Sequence, residues 1–265
     1  MKNRFFGIYY KHQSIDGYTF AVIVSTSNEG DMVQIVDNDK SYQVKDIKSV
    51  EASFTGIKLN VQQDDINIVG ELKYGPLTKP KKDVMSYYRY LPIECKHQIY
   101  SMNHPLSGSL VINGKTISFD NGNGYIEGDK GRNFPHQYLW FNASSKENSI
   151  TLAVASIPLG LIKIIGTTGL IVNNNKEYRF GTYNFAKAKV IEKNHVVIKR
   201  GKTILEIFID DNTGHALKAP VKGNMVRTIH ECPSVKARCV LSKNKEVIFD
   251  ITHQFASFEF VFSQN

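Results

Sequence analysis

Apolar and polar residues alternate along most of the chain. Phe20, Val22 and Val24 take one face of an extended segment near the N-terminus, and Leu205 and Ile207 do the same in the second half. A period of two is typical of β-strands, because successive side chains of a strand point to opposite faces. No stretch of a dozen residues has the 3.6-residue period of an amphipathic helix. The pattern therefore predicts a chain that is nearly all β.

The predicted strands are separated by frequent turn signals. Asn113 and Gly114 lie between two alternating apolar segments, which is the strongest short-range signal for a β-hairpin. Many antiparallel strands of similar length, with a turn about every eight to twelve residues, are typical of a barrel or a pair of barrels. A barrel of about eight strands has room for one small ligand, so we expect an apolar pocket inside a barrel. Residues 74–108 break the alternation and are the best candidate for a boundary between domains.

The composition is that of a folded globular protein and narrows the choice of partners. With 265 residues, of which 42% are hydrophobic and 22% charged, the chain can bury a substantial core in one large domain or two ordinary ones. The net charge is +8, but Lys and Arg alternate with acidic and apolar residues instead of forming one basic face, so we expect no nucleic-acid partner. The basic loop at Lys79–Lys82 keeps a third hypothesis open, in which the protein binds nucleic acid or makes peripheral contact with an anionic membrane.

The cysteines and the apolar segments bear on the compartment. Cys95, Cys232 and Cys239 are odd in number and have no CxxC spacing, and no apolar leader precedes a cleavage site, so we predict a cytoplasmic protein. Residues 150–172 contain one charge, Lys163, and are long enough to span a bilayer. The residues that interrupt this segment are Pro158, Gly160, Gly166 and Gly169. We therefore predict two buried strands here and no transmembrane segment.

Common catalytic and metal-binding motifs are absent from the sequence. It contains no Walker loop, no GxSxG elbow and no HExxH, and the glycines near residue 124 lack the spacing and the βαβ context of a dinucleotide site. His97 and His104 are seven residues apart in an irregular segment, so we predict no metal site. Cys95 beside His97 leaves a Cys–His nucleophile open, although an inert thiol explains Cys95 as well.

Residues 124–142 carry the densest chemistry of the chain, including its only tryptophan, Trp140. Tyr125 and Glu127 are two residues apart, so they share one face of an extended strand, and Asp129 follows on the same face. A polar row can therefore line one surface beside aromatic side chains. This stretch is the first candidate for a functional site.

The same stretch resembles the tocopherol cyclase family. The family pattern has a Tyr, a Glu two residues later, then a Gly, a Phe-Pro pair and a Trp. In this chain the pattern corresponds to Tyr125, Glu127, Gly131, Phe134, Pro135 and Trp140. Further segments that look like bacterial members of the family are FFGIYYKHQ, ECKHQIYSMNHPLSG, YRFGTY, LKAP and MVRTIHE. The resemblance thus covers nearly the whole chain.

The resemblance implies a fold and a division into domains. The family is similar in fold to the carotenoid hydratases, which have two lipocalin-like barrels. We therefore expect an all-β protein of two lipocalin-like (calycin) antiparallel β-barrels packed together, with very little helix. We expect an N-terminal barrel in residues 1–105 and a C-terminal barrel with the family motif in residues 106–265.

The resemblance also implies an activity on an isoprenoid or another lipid-like small molecule. A quinol hydroxyl adds across a trisubstituted alkene and closes a chromanol ring, an isomerase-type step without redox change and without a cofactor. A buried carboxylic acid suits this step, because burial disfavours its ionised form and keeps it protonated near neutral pH. The implied catalytic residues are Glu127 as the first acid, Asp129 as the second candidate and His136 as an orienting group. The expected substrate-binding residues are Tyr125, Trp140, Glu94, His97, His104 and Tyr183.

A structural role for the same residues leads to a different hypothesis. Lipocalin-like barrels often close one end with a Trp and a basic residue, so Trp140, Phe134 and Arg132 could do the same here. Glu127 would then pair with Arg132 or Lys130. A protein built in this way would be a non-catalytic lipid carrier or sensor.

The direction of the acidic side chains separates the two hypotheses. Catalysis is favoured if Glu127 and Asp129 face a closed apolar cavity near Tyr125, and the carrier is favoured if they lie on the outer face. The chain also departs from the plant members of the family, which have a Trp at the positions of Lys130 and Ile8. Two aromatic groups that could stabilise a cation are therefore missing.

Overall fold

The computed structural model describes residues 4–145, 147–159 and 162–262. Over these residues the chain forms twenty β-strands in two antiparallel sheets, three short 3-10 helices and no α-helix. The predicted fold class, all-β with two lipocalin-like barrels and very little helix, is confirmed.

The strands of the first sheet come from the first half of the chain. They are β1 Phe5–Gln13, β2 Thr19–Ser27, β3 Gly30–Asp37, β4 Ser41–Val44, β5 Val50–Ala52, β6 Gly56–Gln63, β7 Ile66–Tyr74, β8 Cys95–Ile112, β9 Lys115–Ser118 and β10 Asn123–Gly131.

The strands of the second sheet follow a short connection. They are β11 Tyr138–Ser144, β12 Asn148–Leu159, β13 Ile162–Asn173, β14 Lys176–Gly181, β15 Lys187–Ile191, β16 His195–Arg200, β17 Thr203–Ile209, β18 His215–Val221, β19 Asn224–Lys243 and β20 Glu246–Phe260. The 3-10 helices are Ile47–Ser49, Ser86–Tyr90 and Thr182–Asn184.

The two sheets have similar strand orders, but the short extra strand follows its long partner along the chain in the first sheet and precedes it in the second. The first runs β4-β3-β2-β1-β10-β8-β7-β6-β5 with β9 beside β8, and the second runs β14-β13-β12-β11-β20-β19-β17-β16-β15 with β18 beside β19. In each sheet the first four strands form a meander, and the last strand of the sheet pairs with its first. No strand pairing among the described residues joins β4 to β5 or β14 to β15, so each barrel stays open between its end strands.

Left-handed residues form the tight hairpin turns. Asn113 and Gly114 have φ angles of 49° and 82° and connect β8 to β9, as the sequence predicts. Asn244 and Lys245 have φ angles of 55° and 72° and connect the two longest neighbours, β19 and β20. Two consecutive residues with positive φ match the right-handed twist of the strands on either side.

Part of the segment that the sequence predicts to be irregular is a long strand. β8 covers residues 95–108 of this segment and pairs with both β7 and β10. The pairing of β8 with β10 shifts register on both sides of Ile126, and such bulges interrupt a period of two. The alternation in the sequence is therefore disturbed although the backbone is extended.

Three apolar cores hold the molecule together. The first sheet encloses one core, which includes Phe20, Ile35 and Leu110, and the second sheet encloses another around Phe141 and Phe258. The third core lies between the sheets. Its members include Tyr9, Val36, Met102, Tyr125, Trp140, Leu170 and Ile229.

Residues 150–172 form the greater part of β12 and β13, which pair with each other. The prediction of two strands in this segment is confirmed, and Gly160 lies outside the described residues. Within the part of the chain that the structure describes, no helix has the length and apolar character needed to cross a membrane.

The chain passes from the first sheet to the second between Gly131 and Tyr138. The predicted division between residues 105 and 106 falls within β8. The division into domains stays a prediction.

Candidate functional site

A cavity of about 200 Å³ lies between the two sheets. The first sheet contributes Tyr9 and Ile23 to its wall, the second contributes Trp140 and Ile229, and Met85 comes from the connection before β8. Most of the wall is apolar. Its position differs from that of a pocket inside one barrel, because the interior of each barrel is filled by its own core.

Glu127 projects from β10 into this cavity and is buried. Tyr125 shares its face of the strand and donates its hydroxyl to Glu127 Oε2 at 2.5 Å. Trp140 on β11 donates its indole N–H to the same oxygen at 3.0 Å, so a donor from each sheet holds the carboxyl group. No described residue donates a hydrogen bond to Oε1, and this oxygen is not sealed off from the cavity.

His97 lies between the carboxyl groups of Glu127 and Asp129. Its Nδ1 is 3.1 Å from Asp129 Oδ1, within hydrogen-bond distance. Its Nε2 lies 3.4 Å from Glu127 Oε2, which is an ion-pair distance without hydrogen-bond geometry. Two contacts fix the backbone of His97, since its N–H donates to Met85 Sδ at 3.1 Å and its carbonyl accepts from Arg89 Nη2 at 3.1 Å.

The second sheet adds two further carboxyl groups to the cavity wall. Glu231 on β19 and Glu259 on β20 lie directly opposite each other in the strand register. Tyr9 of the first sheet donates its hydroxyl to Glu231 Oε1 at 2.5 Å, and Tyr138 donates to Glu259 Oε2 at 2.5 Å. Each of these acids therefore has one oxygen bound to a tyrosine.

Burial determines the proton affinity of the residues around Glu127. Removal from water and the negative charge of Asp129 raise the pKa of Glu127, while His97, Tyr125 and Trp140 lower it, and the net result is a pKa of about 7. Burial lowers the pKa of His97, but Glu127 and Asp129 raise it more strongly, so it stands at about 9. Near neutral pH, a protonated imidazolium therefore lies beside a carboxyl group that still holds much of its proton.

Burial also raises the pKa values of the two acids of the second sheet. Burial raises the pKa of Glu231 to about 7, with Tyr9 and Lys11 acting against the shift. Burial and the neighbouring Glu231 raise the pKa of Glu259 well above its ordinary value. Lys11 is itself fully buried and donates to Asn142 Oδ1 at 3.2 Å, and burial lowers its pKa to about 7.

The ligand atoms of His97, Glu127 and Asp129 lie within 4.8 Å of one another, which is close enough to hold a metal ion. One carboxylate oxygen of Glu127 already accepts from Tyr125 and Trp140, so a metal at that oxygen would displace these donors. The group is more consistent with a hydrogen-bonded acid than with a set of metal ligands. The absence of a metal site stays a prediction.

The structure brings most of the predicted site residues to one place. The predicted site residues that line the cavity are Glu127, Asp129, Trp140, Glu94, His97 and Tyr183. Tyr125 lies behind Glu127 and also contacts Thr151 Oγ1 at 2.9 Å. His136 and His104 do not line the cavity. His136 is exposed, and His104 is buried in the first sheet against the Tyr74 ring, 4.7 Å between centroids.

The predicted pairing of Glu127 with Lys130 or Arg132 does not occur. Both basic side chains are exposed, and Glu127 is held by Tyr125, Trp140 and His97 instead. Lys130 points away from the cavity because it is an odd number of residues from Glu127 along the strand. Ile8, where the plant proteins have a Trp, lines the cavity.

The sequence analysis does not identify four residues that line the cavity beside the predicted ones. They are Tyr9, Tyr138, Glu231 and Glu259. Glu231 and Tyr9 lie in segments that support the family resemblance, MVRTIHE and FFGIYYKHQ. Glu259 has only a weak signal, because it is a single acid between the phenylalanines of β20.

Comparison with protein families gives a match for the central part of the chain. The sequence profile of the family described as "Tocopherol cyclase-like" matches residues 57–172, which confirms the predicted resemblance over that part of the chain, including residues 124–142. No curated protein matches the chain.

Solved structures share the fold. Kievitone hydratase from Nectria haematococca superposes with a TM-score of 0.56 at 12% identity, covering 98% of this chain and 89% of that one. CghA with Sch210972 gives a TM-score of 0.63 at 9% identity, covering 97% and 87%. CghA alone gives 0.64 at 8% identity, covering 98% and 90%. At these identities the similarity shows the fold alone.

Proposed function

Because residues 57–172 match the tocopherol cyclase-like family, we propose that the protein adds a hydroxyl group across an alkene of an apolar, isoprenoid-type substrate. The hydroxyl comes from the substrate itself, which closes a ring, or from water, which gives a hydration. The observation that carries this proposal is the position of Glu127, a buried carboxylic acid at the wall of an apolar cavity. One of the proteins with a similar fold is kievitone hydratase, and a hydratase is in keeping with this class of reaction.

Glu127 is the proton donor in this proposal. Its Oε2 accepts hydrogen bonds from Tyr125 and Trp140, so the acidic proton resides on Oε1, the oxygen without a protein donor. A pKa of about 7 suits a general acid that works near neutral pH, because the group is still protonated and yet releases its proton readily. The proton goes to one alkene carbon, and the other carbon becomes cationic.

Two aromatic rings beside the acid can stabilise that cation. Trp140 and Tyr9 both line the cavity and contact each other edge to face, with 5.4 Å between ring centroids. Each cation–π contact contributes about 0.5 to 2 kcal/mol, with the larger values in sites without water.

His97 and Asp129 act by positioning. Asp129 holds the imidazole through Nδ1, and the positive charge of His97 stabilises the carboxylate that Glu127 becomes after it has released its proton. Without this pairing, an anion buried in an apolar cavity would be strongly unfavourable.

The test uses a hydroquinone with a prenyl side chain in D₂O, with products analysed by mass spectrometry. We expect a chromanol, or an alcohol from hydration, with one non-exchangeable deuterium at the protonated carbon. Glu127→Gln is expected to lower turnover at least 100-fold, while Glu51→Gln, at an exposed position on β5, retains it. Turnover by Glu127→Gln at the wild-type rate would exclude Glu127 as the acid.

A non-catalytic carrier is the second candidate, and the predominantly apolar wall of the cavity favours it. In that case the wild type and Glu127→Gln bind prenylated hydroquinones without converting them. Identification of the lipid that co-purifies with the protein would then name the cargo.

A further inference from the structure

The cavity has carboxyl groups on both sheets, and the proposed proton transfer to the alkene involves only Glu127 on the first sheet. An addition across an alkene consumes one proton at carbon and releases one from the attacking hydroxyl. The second proton needs an acceptor near the oxygen nucleophile, and Glu127 is occupied as donor.

We propose that Glu231, paired with Glu259 and held by Tyr9, is the base that takes the proton of the attacking hydroxyl group. The proposal rests on the proposed function and extends it, because it assigns the two ends of the reaction to different sheets. Its basis is that Glu231 and Glu259 line the same cavity as Glu127.

The hydrogen bonds leave the right oxygen atoms available. Glu231 Oε1 accepts from Tyr9, and Glu259 Oε2 accepts from Tyr138, while no described residue donates to the other oxygen of either acid. Both acids line the cavity, and each of these other oxygens keeps some exposed surface. A substrate in the cavity can therefore reach them. Glu127 shows the same arrangement, with one oxygen bound to a tyrosine and the other free.

The charged surroundings distinguish Glu231 from Glu259. Glu231 faces Tyr9 and the buried Lys11, whose positive charge favours the carboxylate, and it also faces Glu127. The groups that face Glu259 are Tyr138 and three acids, Glu231, Glu127 and Asp129.

These surroundings assign different roles to the two acids. Glu231 ionises more readily than Glu259, because the Tyr9 hydroxyl and the charge of Lys11 both favour its carboxylate. Burial, followed by the negative charges of Glu231, Glu127 and Asp129, raises the pKa of Glu259 well above its ordinary value and favours its protonated form. Glu231 is therefore the proton acceptor, and the protonated Glu259 beside it is a hydrogen-bond donor.

The proposed step balances. The π electrons of the alkene form a C–H bond with the proton of Glu127, and its O–H bond breaks to leave a carboxylate. A lone pair of the hydroxyl oxygen forms the new C–O bond, and its proton moves to the Glu231 carboxylate. The oxidation state does not change, and after product release the proton returns from Glu231 to Glu127 through solvent in the open cavity.

This division of roles defines the substrate class. The reacting molecule presents its alkene to Glu127 on β10 and its hydroxyl group to Glu231 on β19. A prenylated hydroquinone can do this when its chain folds back on the ring. An alkene without a hydroxyl group can be protonated by Glu127, but it cannot form the new C–O bond.

The experiment separates the two halves. A prenylated hydroquinone reports ring closure, and its di-O-methyl ether in D₂O reports protonation of the alkene alone, as deuterium exchange. We expect Glu231→Gln to lower ring closure at least 100-fold and to retain deuterium exchange within about threefold of the wild type. Glu127→Gln is expected to lose both reactions, and Glu246→Gln, an exposed change on β20, to lose neither.

The pH profile gives a second measurement. Wild-type ring closure is expected to rise with pH as Glu231 ionises and to fall as Glu127 loses its proton. In Glu231→Gln the rising limb disappears, and in Glu231→Asp it returns.

Three results would overturn the assignment to Glu231. They are ring closure by Glu231→Gln at the wild-type rate, an unchanged rising limb in this variant, and an equal loss of exchange and ring closure, which indicates a structural role. Failure of Glu127→Gln to affect either reaction would instead refute the proposed function.

Discussion

The effect of pH on stability tests the environment of Glu127 without knowledge of the substrate. The change is Glu127→Gln, which keeps the size of the side chain and an oxygen that accepts from Tyr125 and Trp140. Glutamine has no acidic proton, so the variant lacks any contribution from titration of this position.

The magnitude follows from the shifted pKa. Glu127 titrates at about 7 in the folded protein and has an ordinary value of 4.5. Between these values the folded state binds more protons than the unfolded chain, so the free energy of unfolding decreases as the pH rises. The stabilising contribution is fully present below pH 4.5 and lost as the pH rises through 7. The loss between pH 5 and pH 8 is about 2.5 kcal/mol.

The contribution of His97 to stability also decreases as the pH rises. Its raised pKa stabilises the fold below its ordinary value of 6.5 and is lost as the pH rises through about 9. Removing the charge of Glu127 reduces this shift, so the stability of Glu127→Gln is expected to depend less on pH for both reasons.

The assay is urea unfolding at pH 5, 6, 7 and 8, followed by Trp140 fluorescence and by far-UV circular dichroism. Trp140 is the only tryptophan, and it donates to Glu127 directly, so its emission also reports ionisation of the acid in the folded state. We expect the wild type to lose at least about 2.5 kcal/mol more than Glu127→Gln between pH 5 and 8, because the smaller His97 shift in the variant adds to the Glu127 contribution. Glu51→Gln is the matched control and should follow the wild type. Parallel pH dependence of the wild type and Glu127→Gln would refute the raised pKa.

Further predictions concern the second donor, the backbone and metal ions. Trp140→Phe removes a hydrogen bond that lowers the pKa of Glu127, so the fall of activity at high pH should move to higher pH in a pH–rate profile. An unmoved falling limb would contradict this. Gly131→Ala places a Cβ 1.9 Å from the Glu94 carbonyl oxygen and should cost about 2 kcal/mol in urea unfolding, whereas Gly7→Ala, with 3.6 Å to its nearest neighbour, should cost much less. Equal costs would contradict the close approach. Incubation with a chelator should leave turnover of prenylated hydroquinone unchanged, and restoration of a lost activity by a divalent metal would contradict acid catalysis without metal.

The sequence allows prediction of those parts of the molecule that depend on local periodicity. The period of two predicts strands, the Asn113–Gly114 hairpin follows from turn chemistry, and the spacing of Tyr125, Glu127 and Asp129 places them on one surface of β10. These properties depend on neighbours a few residues away.

The composition of the cavity could not be predicted in the same way. Glu231 and Glu259 lie more than a hundred residues from Glu127, and only the packing of one sheet on the other brings them to the same cavity. His136 illustrates the opposite error, since it is close to the motif in sequence but lies in the connection between the sheets, where its side chain is exposed. Separation along the chain therefore does not predict which side chains line the cavity.

The two sheets pair their main strands in a corresponding order, and only the place of the short extra strand differs. Tyr9 opposite Glu127 on β1 and β10 then corresponds to Trp140 opposite Glu259 on β11 and β20. Glu127 and Glu259 thus occupy corresponding positions, one in each sheet, but their hydrogen-bond partners differ. Glu127 accepts from Tyr125 and Trp140, whereas Glu259 accepts from Tyr138. The two walls of the shared cavity are therefore chemically unequal, although they are built on nearly the same arrangement of strands.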